Sequence, residues 1–167
     1  DGGVTAPKGF TANGMLCKIK ESSTKNDLAL VFSEKLCNAA GVFTQNKVKA
    51  ESVKLTKENI ANGKAQAVIA NSGNANACTG EQGAKVARKM ASLAADVLGI
   101  NSGDVIVYST GVIGKQLPVE KIEKNIQSLK DGLSKEGHKE ARTAIMTTDT
   151  HYKECAVQTV IGGKTVR

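Results

Sequence analysis

Short apolar runs alternate with longer amphipathic stretches along the chain. Leu28-Ala29-Leu30-Val31-Phe32 has the length and composition of a buried strand. Ala40-Gly41-Val42-Phe43-Thr44 follows after a turn and suggests an antiparallel partner. Ala65-Gln66-Ala67-Val68-Ile69-Ala70 reads as a further strand, ending in the turn cluster Asn71-Ser72-Gly73-Asn74. The clearest helix comes next. Thr79-Gly80-Glu81-Gln82 fits a capping box, Val86, Met90, Leu93 and Val97 recur at helical spacing, and Gly99 offers a stop. Val105-Ile106-Val107-Tyr108 is another strand. Pro118 stands near the first turn of a second helix, whose apolar stripe is Val119, Ile122, Ile126, Leu129 and Leu133. A shorter helix is expected around Lys139 to Met146, and a last strand from Cys155 to Ile161. The stripes face a core. No repeat, low-complexity tract or linker divides residues 1–167, so the pattern predicts a single domain of the α/β or α+β class.

Composition narrows the picture. Forty per cent hydrophobic and 23% charged residues describe an ordinary globular chain and argue against disorder. Aromatics make up 3%, without tryptophan, so the core must be aliphatic. The net charge of +7 raises the question of nucleic acid, but the lysines are scattered through every segment and only Tyr152 is an aromatic near a basic cluster. A stacking platform is therefore not expected, whereas mild steering of small anions is. No apolar run approaches the roughly 20 residues of a membrane helix. The segment Asp1-Gly2-Gly3-Val4 has neither the basic nor the apolar region of an export signal, so a cytoplasmic location is expected. Cys17, Cys37, Cys78 and Cys155 are far apart and are read as reduced, buried thiols. With His138 and His151 equally isolated, no metal site is expected. Cys78 lies near a helix start, where a thiolate is favoured, but neither histidine is near it in sequence to act as base.

Two loops carry candidate chemistry. Asn71 to Gly80 joins a strand to a helix, and its small residues would let backbone amides approach an anion at the helix start. The plainer reading is a tight turn with a helix cap. The second loop is Ser109-Thr110-Gly111-Val112-Ile113-Gly114-Lys115. It is no P-loop: that motif needs four residues between its glycines and a hydroxyl residue after the lysine, whereas here two intervene and Gln116 follows. A Thr-Gly step at a strand end has other uses. The glycine amide and the threonine hydroxyl can act as two preorganised donors, an oxyanion hole, although Thr-Gly also makes ordinary turns.

Four stretches in series resemble one family. Gly3-Val4-Thr5-Ala6-Pro7-Lys8-Gly9-Phe10, Ala70 to Gly80, Ser109 to Gly114 and Ile145-Met146-Thr147-Thr148-Asp149-Thr150 occur in the order and at the spacing of the bifunctional glutamate N-acetyltransferase/ornithine acetyltransferase family of arginine biosynthesis. The resemblance implies a precursor that cleaves itself before a threonine. That threonine becomes the N-terminal nucleophile of a β-chain, with its own amine as base. It implies ping-pong acetyl transfer from N-acetylornithine to glutamate with no metal or organic cofactor, acetyl-CoA being a further donor in some members. It also implies an αββα-type layered sandwich completed by the β-chain, in an α2β2 heterotetramer. Carried over residue by residue, Thr110 by its side chain and Gly111 by its amide are the oxyanion stabilisers, and Thr150 is a substrate contact. The family's glycine-rich stretch, its substrate-binding lysine and its Ala-Thr cleavage site would follow Arg167. This α-chain alone is then expected to be inactive. A self-processing aminopeptidase or amidase, and a non-catalytic small-molecule-binding domain, are the rival readings.

Overall fold

The computed structural model describes residues 3–167; Asp1 and Gly2, half of the segment read above for an export signal, lie outside the described residues. Strands β1 (Phe10–Met15), β2 (Leu28–Asn38), β3 (Lys64–Asn71) and β4 (Val105–Ser109) form one sheet in that order. β2 runs antiparallel to β1 and β3, while β3 and β4 are parallel. Helices α1 (Glu51–Asn59), α2 (Gly80–Leu98) and α3 (Val119–Asp131) accompany this sheet, and α4 (His138–Ile145) packs on β1 and β2. The last residues form an exposed hairpin of β5 (Thr159–Ile161) and β6 (Lys164–Val166).

The sheet's two faces differ. Leu28, Leu30, Ala67, Ile69, Val105 and Val107 alternate along their strands and meet Val86, Met90 and Leu93 of α2 and Ile122, Ile126 and Leu129 of α3 in the main core. Each fully buried aliphatic side chain stabilises by roughly 1.5–3 kcal/mol. The opposite face is only partly covered. Ala12, Ala29 and Ala70 contact Ala141 and Ala144 of α4, whereas Val31, Val68, Ile106 and Tyr108 line an open apolar groove of about 670 Å³. Tyr108 is 48% exposed there. The architecture is a layered α/β sandwich. Among the described residues no helix is long and apolar enough to cross a membrane.

Two elements missed in the sequence have legible causes. Strand β1 contains Asn13-Gly14, which reads as a hairpin turn, yet the glycine serves contact: a Cβ there would lie 2.2 Å from the Glu140 carbonyl oxygen of α4. Helix α1 carries a single buried aliphatic side chain, Leu55. It docks by polar contacts instead: Thr56 Oγ1 donates to the Val107 carbonyl at 2.8 Å and accepts the Val107 N–H at 3.0 Å, and Asn59 Nδ2 donates to the Val105 carbonyl at 2.8 Å. The helix thereby closes the open edge of β4.

Several expectations need correction. Ala40–Thr44 is not a strand; β2 itself runs to Asn38 and takes β3 as its antiparallel neighbour, leaving 40–44 irregular. Thr79 is the N-cap of α2, but its hydroxyl donates to Asn76 Oδ1 at 2.8 Å, so the capping box does not close. Gly99 does stop α2, with φ of 69° and its N–H on the Ala95 carbonyl. Only Thr159–Ile161 of the last expected strand is extended, and it lies outside the core. All four cysteines are free, but only Cys17 is buried; Cys37 is half-buried, and Cys78 and Cys155 are exposed. The chain between α4 and the hairpin is clasped by Glu154, whose carboxylate accepts from His138 Nδ1 and Arg142 at 3.0 Å each. These partners, His138 first, hold its carboxyl below the usual range.

Candidate active site

Strands β3 and β4 end side by side, Asn71 opposite Ser109 on their last shared rung. The loops that leave them therefore start together, and asparagine side chains tie them into one unit. Asn74 Nδ2 donates to the Lys115 and Gln116 carbonyls at 3.0 and 3.3 Å, and its Oδ1 accepts the Asn76 N–H at 2.8 Å. Asn71 Nδ2 reaches the Asn74 carbonyl at 2.9 Å, and Asn76 Nδ2 the Gly83 carbonyl at 2.9 Å. Asn71, Ser72, Asn74, Asn76 and Thr79 are all buried. Each satisfied donor contributes roughly 0.5–1.5 kcal/mol, and an orphaned one would cost more. The Asn71–Gly80 loop thus turns its polar groups inward and braces its neighbour, although the side-chain helix cap of the plainer reading does not form.

That neighbour holds Thr110 and Gly111. The Thr110 N–H donates to the Asn71 carbonyl at 3.0 Å, the Val112 N–H to Gly73 at 3.4 Å and the Gly114 N–H to Ala77 at 2.8 Å. Among the described residues neither the Thr110 hydroxyl nor the Gly111 N–H makes a hydrogen bond of ordinary geometry. These two donors are left without such a bond, as are the Ile113 and Lys115 N–H groups among the described residues, while the Thr110, Val112 and Gly114 amides are fixed. Gly111 sits at φ of 132°, closed to other residues, and a Cβ there would lie 2.4 Å from the Gly73 carbonyl carbon and 2.5 Å from the Asn74 nitrogen.

Both residues line a cleft of about 580 Å³, with Ser72 and Gly73, Met146, Thr147 and Thr148, and the Lys20–Asp27 segment. Three of the four stretches singled out in the sequence meet here; the first instead lines other grooves, through Val4 and Phe10 on the open sheet face. Thr150 is exposed and is not among the lining residues. Cys78, His138 and His151 do not line the cleft either. Among the described residues no group of three or more metal-ligating side chains comes together.

Sequence reasoning missed the Lys20–Asp27 segment, whose lysines and serines read as a solvated loop. Asp27 is 1% exposed, and its two carboxylate oxygens accept the Cys17 and Ile19 N–H groups at 2.6 and 2.7 Å. Burial raises the Asp27 carboxyl above its ordinary value, the two amide bonds opposing it. The Cys17 thiol is pushed up to about 12 by burial and by Asp27. Truncation in Asp27→Ala leaves two buried N–H groups without acceptors, and denaturant unfolding of the complete protein should show a loss of about 2–4 kcal/mol. The pH sign follows from the raised value. Folding favours protonated Asp27, so its contribution is full below the ordinary value of 3.8 and is lost as pH rises through the raised one. Asp27→Asn, which cannot ionise, should lack that component of the stability profile.

A family model described as the ArgJ family matches residues 11–167. The chain belongs to the ArgJ family. It is 52% identical over 166 residues to the arginine biosynthesis bifunctional protein ArgJ of Caldanaerobacter subterraneus subsp. tengcongensis, covering 99% of this chain and 41% of that one. It is 48% identical over 170 residues to the glutamate N-acetyltransferase of Methanocaldococcus jannaschii, covering 100% and 40%. The crystal structure of ArgJ from Bacillus halodurans superposes with a TM-score of 0.89 at 40% identity, over 99% of this chain and 86% of that chain. The ornithine acetyltransferase of Mycobacterium tuberculosis, solved with ornithine, gives 0.85 at 43%, over 89% and 81%. The ArgJ-family residues described above thus span about two-fifths of the length of these curated relatives.

Proposed function

We propose that these residues form the α-chain of an enzyme that moves an acetyl group from N2-acetylornithine to glutamate, giving ornithine and N-acetylglutamate. The observation that carries this reading is the unspent donor pair of Thr110 and Gly111, braced in a cleft. In the proposed cycle the N-terminal threonine of a β-chain attacks the acetyl carbonyl, and its hydroxyl proton passes to its own α-amine. Negative charge collects on the carbonyl oxygen, where the Thr110 O–H and the Gly111 N–H donate. The intermediate collapses, the amine of ornithine leaves with the proton, and an acetyl ester remains. Glutamate's amine then attacks that ester through a second oxyanion in the same hole. Neither half needs a metal or an organic cofactor.

Two comparisons support a second polypeptide. This chain fills 86% of the solved Bacillus halodurans chain but 41% of a curated full sequence, so that solved chain is about half as long as the curated one. A precursor cut near its middle has this property. The open groove over Val31, Val68, Ile106 and Tyr108 offers a surface for the β-chain's sheet, which would complete the αββα layers. Pairing of two such αβ units gives the proposed α2β2 assembly, in the cytoplasm. Thr150 follows the lining residues Met146, Thr147 and Thr148 by two positions, and its hydroxyl is proposed as a substrate contact.

Incubation of the complete protein with N-acetylornithine, with and without glutamate, tests the reading. N-acetylglutamate should form only when glutamate is present, and Thr110→Ala should lower its rate about 10²–10³-fold. Release of free acetate with no acetylglutamate would put a hydrolase in place of the transferase.

A further inference from the structure

We propose that Asn74 is the positioning residue of the oxyanion hole, the side chain that holds the loop presenting the Gly111 N–H. The proposal rests on the acetyl-transfer reading and deepens it. Residues 111–116 are all exposed, and their two large apolar side chains, Val112 and Ile113, are 48% and 65% exposed. Burial of apolar surface therefore does little to fix this loop, and its shape depends on hydrogen bonds. Among the described residues, Asn74 supplies the one side chain from outside the loop that bonds to the loop's backbone.

The loop wraps around Asn74. At its start the Gly73–Asn74 peptide packs against Gly111, where an added Cβ would lie 2.4 Å from the Gly73 carbonyl carbon and 2.5 Å from the Asn74 nitrogen. Asn74 also makes bridge pairings with Thr110 and Val112, the two neighbours of Gly111. At the loop's end, Asn74 Nδ2 donates to the Lys115 and Gln116 carbonyls at 3.0 and 3.3 Å. One residue thus grips the loop at both ends, by its backbone beside Gly111 and by its side chain beyond Gly114.

Asn74 is in turn anchored from below. It is buried, its Oδ1 accepts the Asn76 N–H at 2.8 Å, and its carbonyl accepts Asn71 Nδ2 at 2.9 Å. Asn76 is tied to the start of α2, its Nδ2 donating to the Gly83 carbonyl at 2.9 Å and its Oδ1 accepting the Thr79 hydroxyl. A line of hydrogen bonds therefore runs from the first turn of α2 through Asn76 and Asn74 to the loop. Asparagine suits this place because its amide offers two donors for the two carbonyls and an acceptor for the Asn76 N–H. Aspartate has the same shape but lacks the donors.

The test acetylates the complete, processed protein in a single turnover, using N2-acetylornithine with an isotope-labelled acetyl carbonyl and no glutamate. Infrared difference spectroscopy then reads the ester carbonyl, whose band the donors of the hole lower. In Asn74→Ala the acetylation rate should fall about 10- to 100-fold, as for a displaced catalytic group, and the band should move up toward its position in the denatured protein. Asn74→Asp should behave alike, and affinity for the product ornithine should change little in either variant. Asn59→Ala is the control. It loses an equivalent bond, from Asn59 Nδ2 to the Val105 carbonyl at the far end of β4, and should keep the wild-type rate and band. An unmoved band in the Asn74 variants, the same changes in Asn59→Ala, or failure of both Asn74 variants to yield folded, processed protein would overturn the assignment and leave the transferase reading in place. A wild-type protein that forms no acetyl ester, or whose ester band is the same folded and denatured, would defeat the oxyanion-hole reading, and Asn74's role with it.

Discussion

Gly111→Ala is expected to lower acetyl transfer by at least about a hundredfold. Removing one oxyanion donor typically costs 10²–10³ in turnover, about 2.7–4 kcal/mol of barrier; alanine keeps the N–H at 111 but displaces it. Its Cβ would meet the Gly73–Asn74 peptide at 2.4–2.5 Å, backbone that Asn74 holds in place through Lys115 and Gln116. The loop must move, and the amide at 111 moves with it. Gly114 provides the control. It too has positive φ, 76°, but a Cβ there meets nothing within 4 Å. Gly114→Ala should cost about 1 kcal/mol of strain and leave turnover within a few-fold. Steady-state rates and unfolding curves of both variants check the pair. Equal rates in the two variants would show that the geometry at Gly111 is not what matters.

Ile106→Asp should break the assembly. Ile106 stands on β4 in the open apolar face with Val68 and Tyr108. If a second sheet packs there, the substitution places an unpaired carboxylate in a dry interface at a cost of several kcal/mol. The two polypeptides should then no longer copurify, and acetyl transfer should vanish with the association. Lys57→Asp, on an exposed position of α1, introduces the same charge away from that face and should leave the complex whole. Size-exclusion chromatography with denaturing gels reads the outcome. An intact, active Ile106→Asp complex would mean that the face is covered otherwise.

The core helices and the parallel pair of strands were legible because their information is periodic. Val86, Met90 and Leu93, or Ile122, Ile126 and Leu129, announce a buried stripe whatever lies beneath them. Strand β1 and helix α1 were not legible, since their reasons are tertiary: Gly14 is there for the approach of α4, and Thr56 and Asn59 are there for the edge of β4. Ala40–Thr44 was over-read because strand composition cannot reveal that a neighbouring strand already occupies its place in the sheet. The site divides the same way. Thr110–Gly111 stands out in the sequence through the four stretches in series, since a Thr-Gly step by itself also makes ordinary turns. Lys20 and Asp27 do not, because only the fold brings a lysine- and serine-rich loop against Gly73.

In the proposed function this chain holds the oxyanion while a second polypeptide supplies the nucleophile. Intact mass spectrometry of the complete protein, after incubation with N-acetylornithine and no glutamate, tests it most directly. Two polypeptides should appear, the second beginning with threonine and carrying one acetyl group that Thr110→Ala acquires far more slowly. A single uncut polypeptide, or an acetyl group on a residue of this chain, would overturn the proposed function.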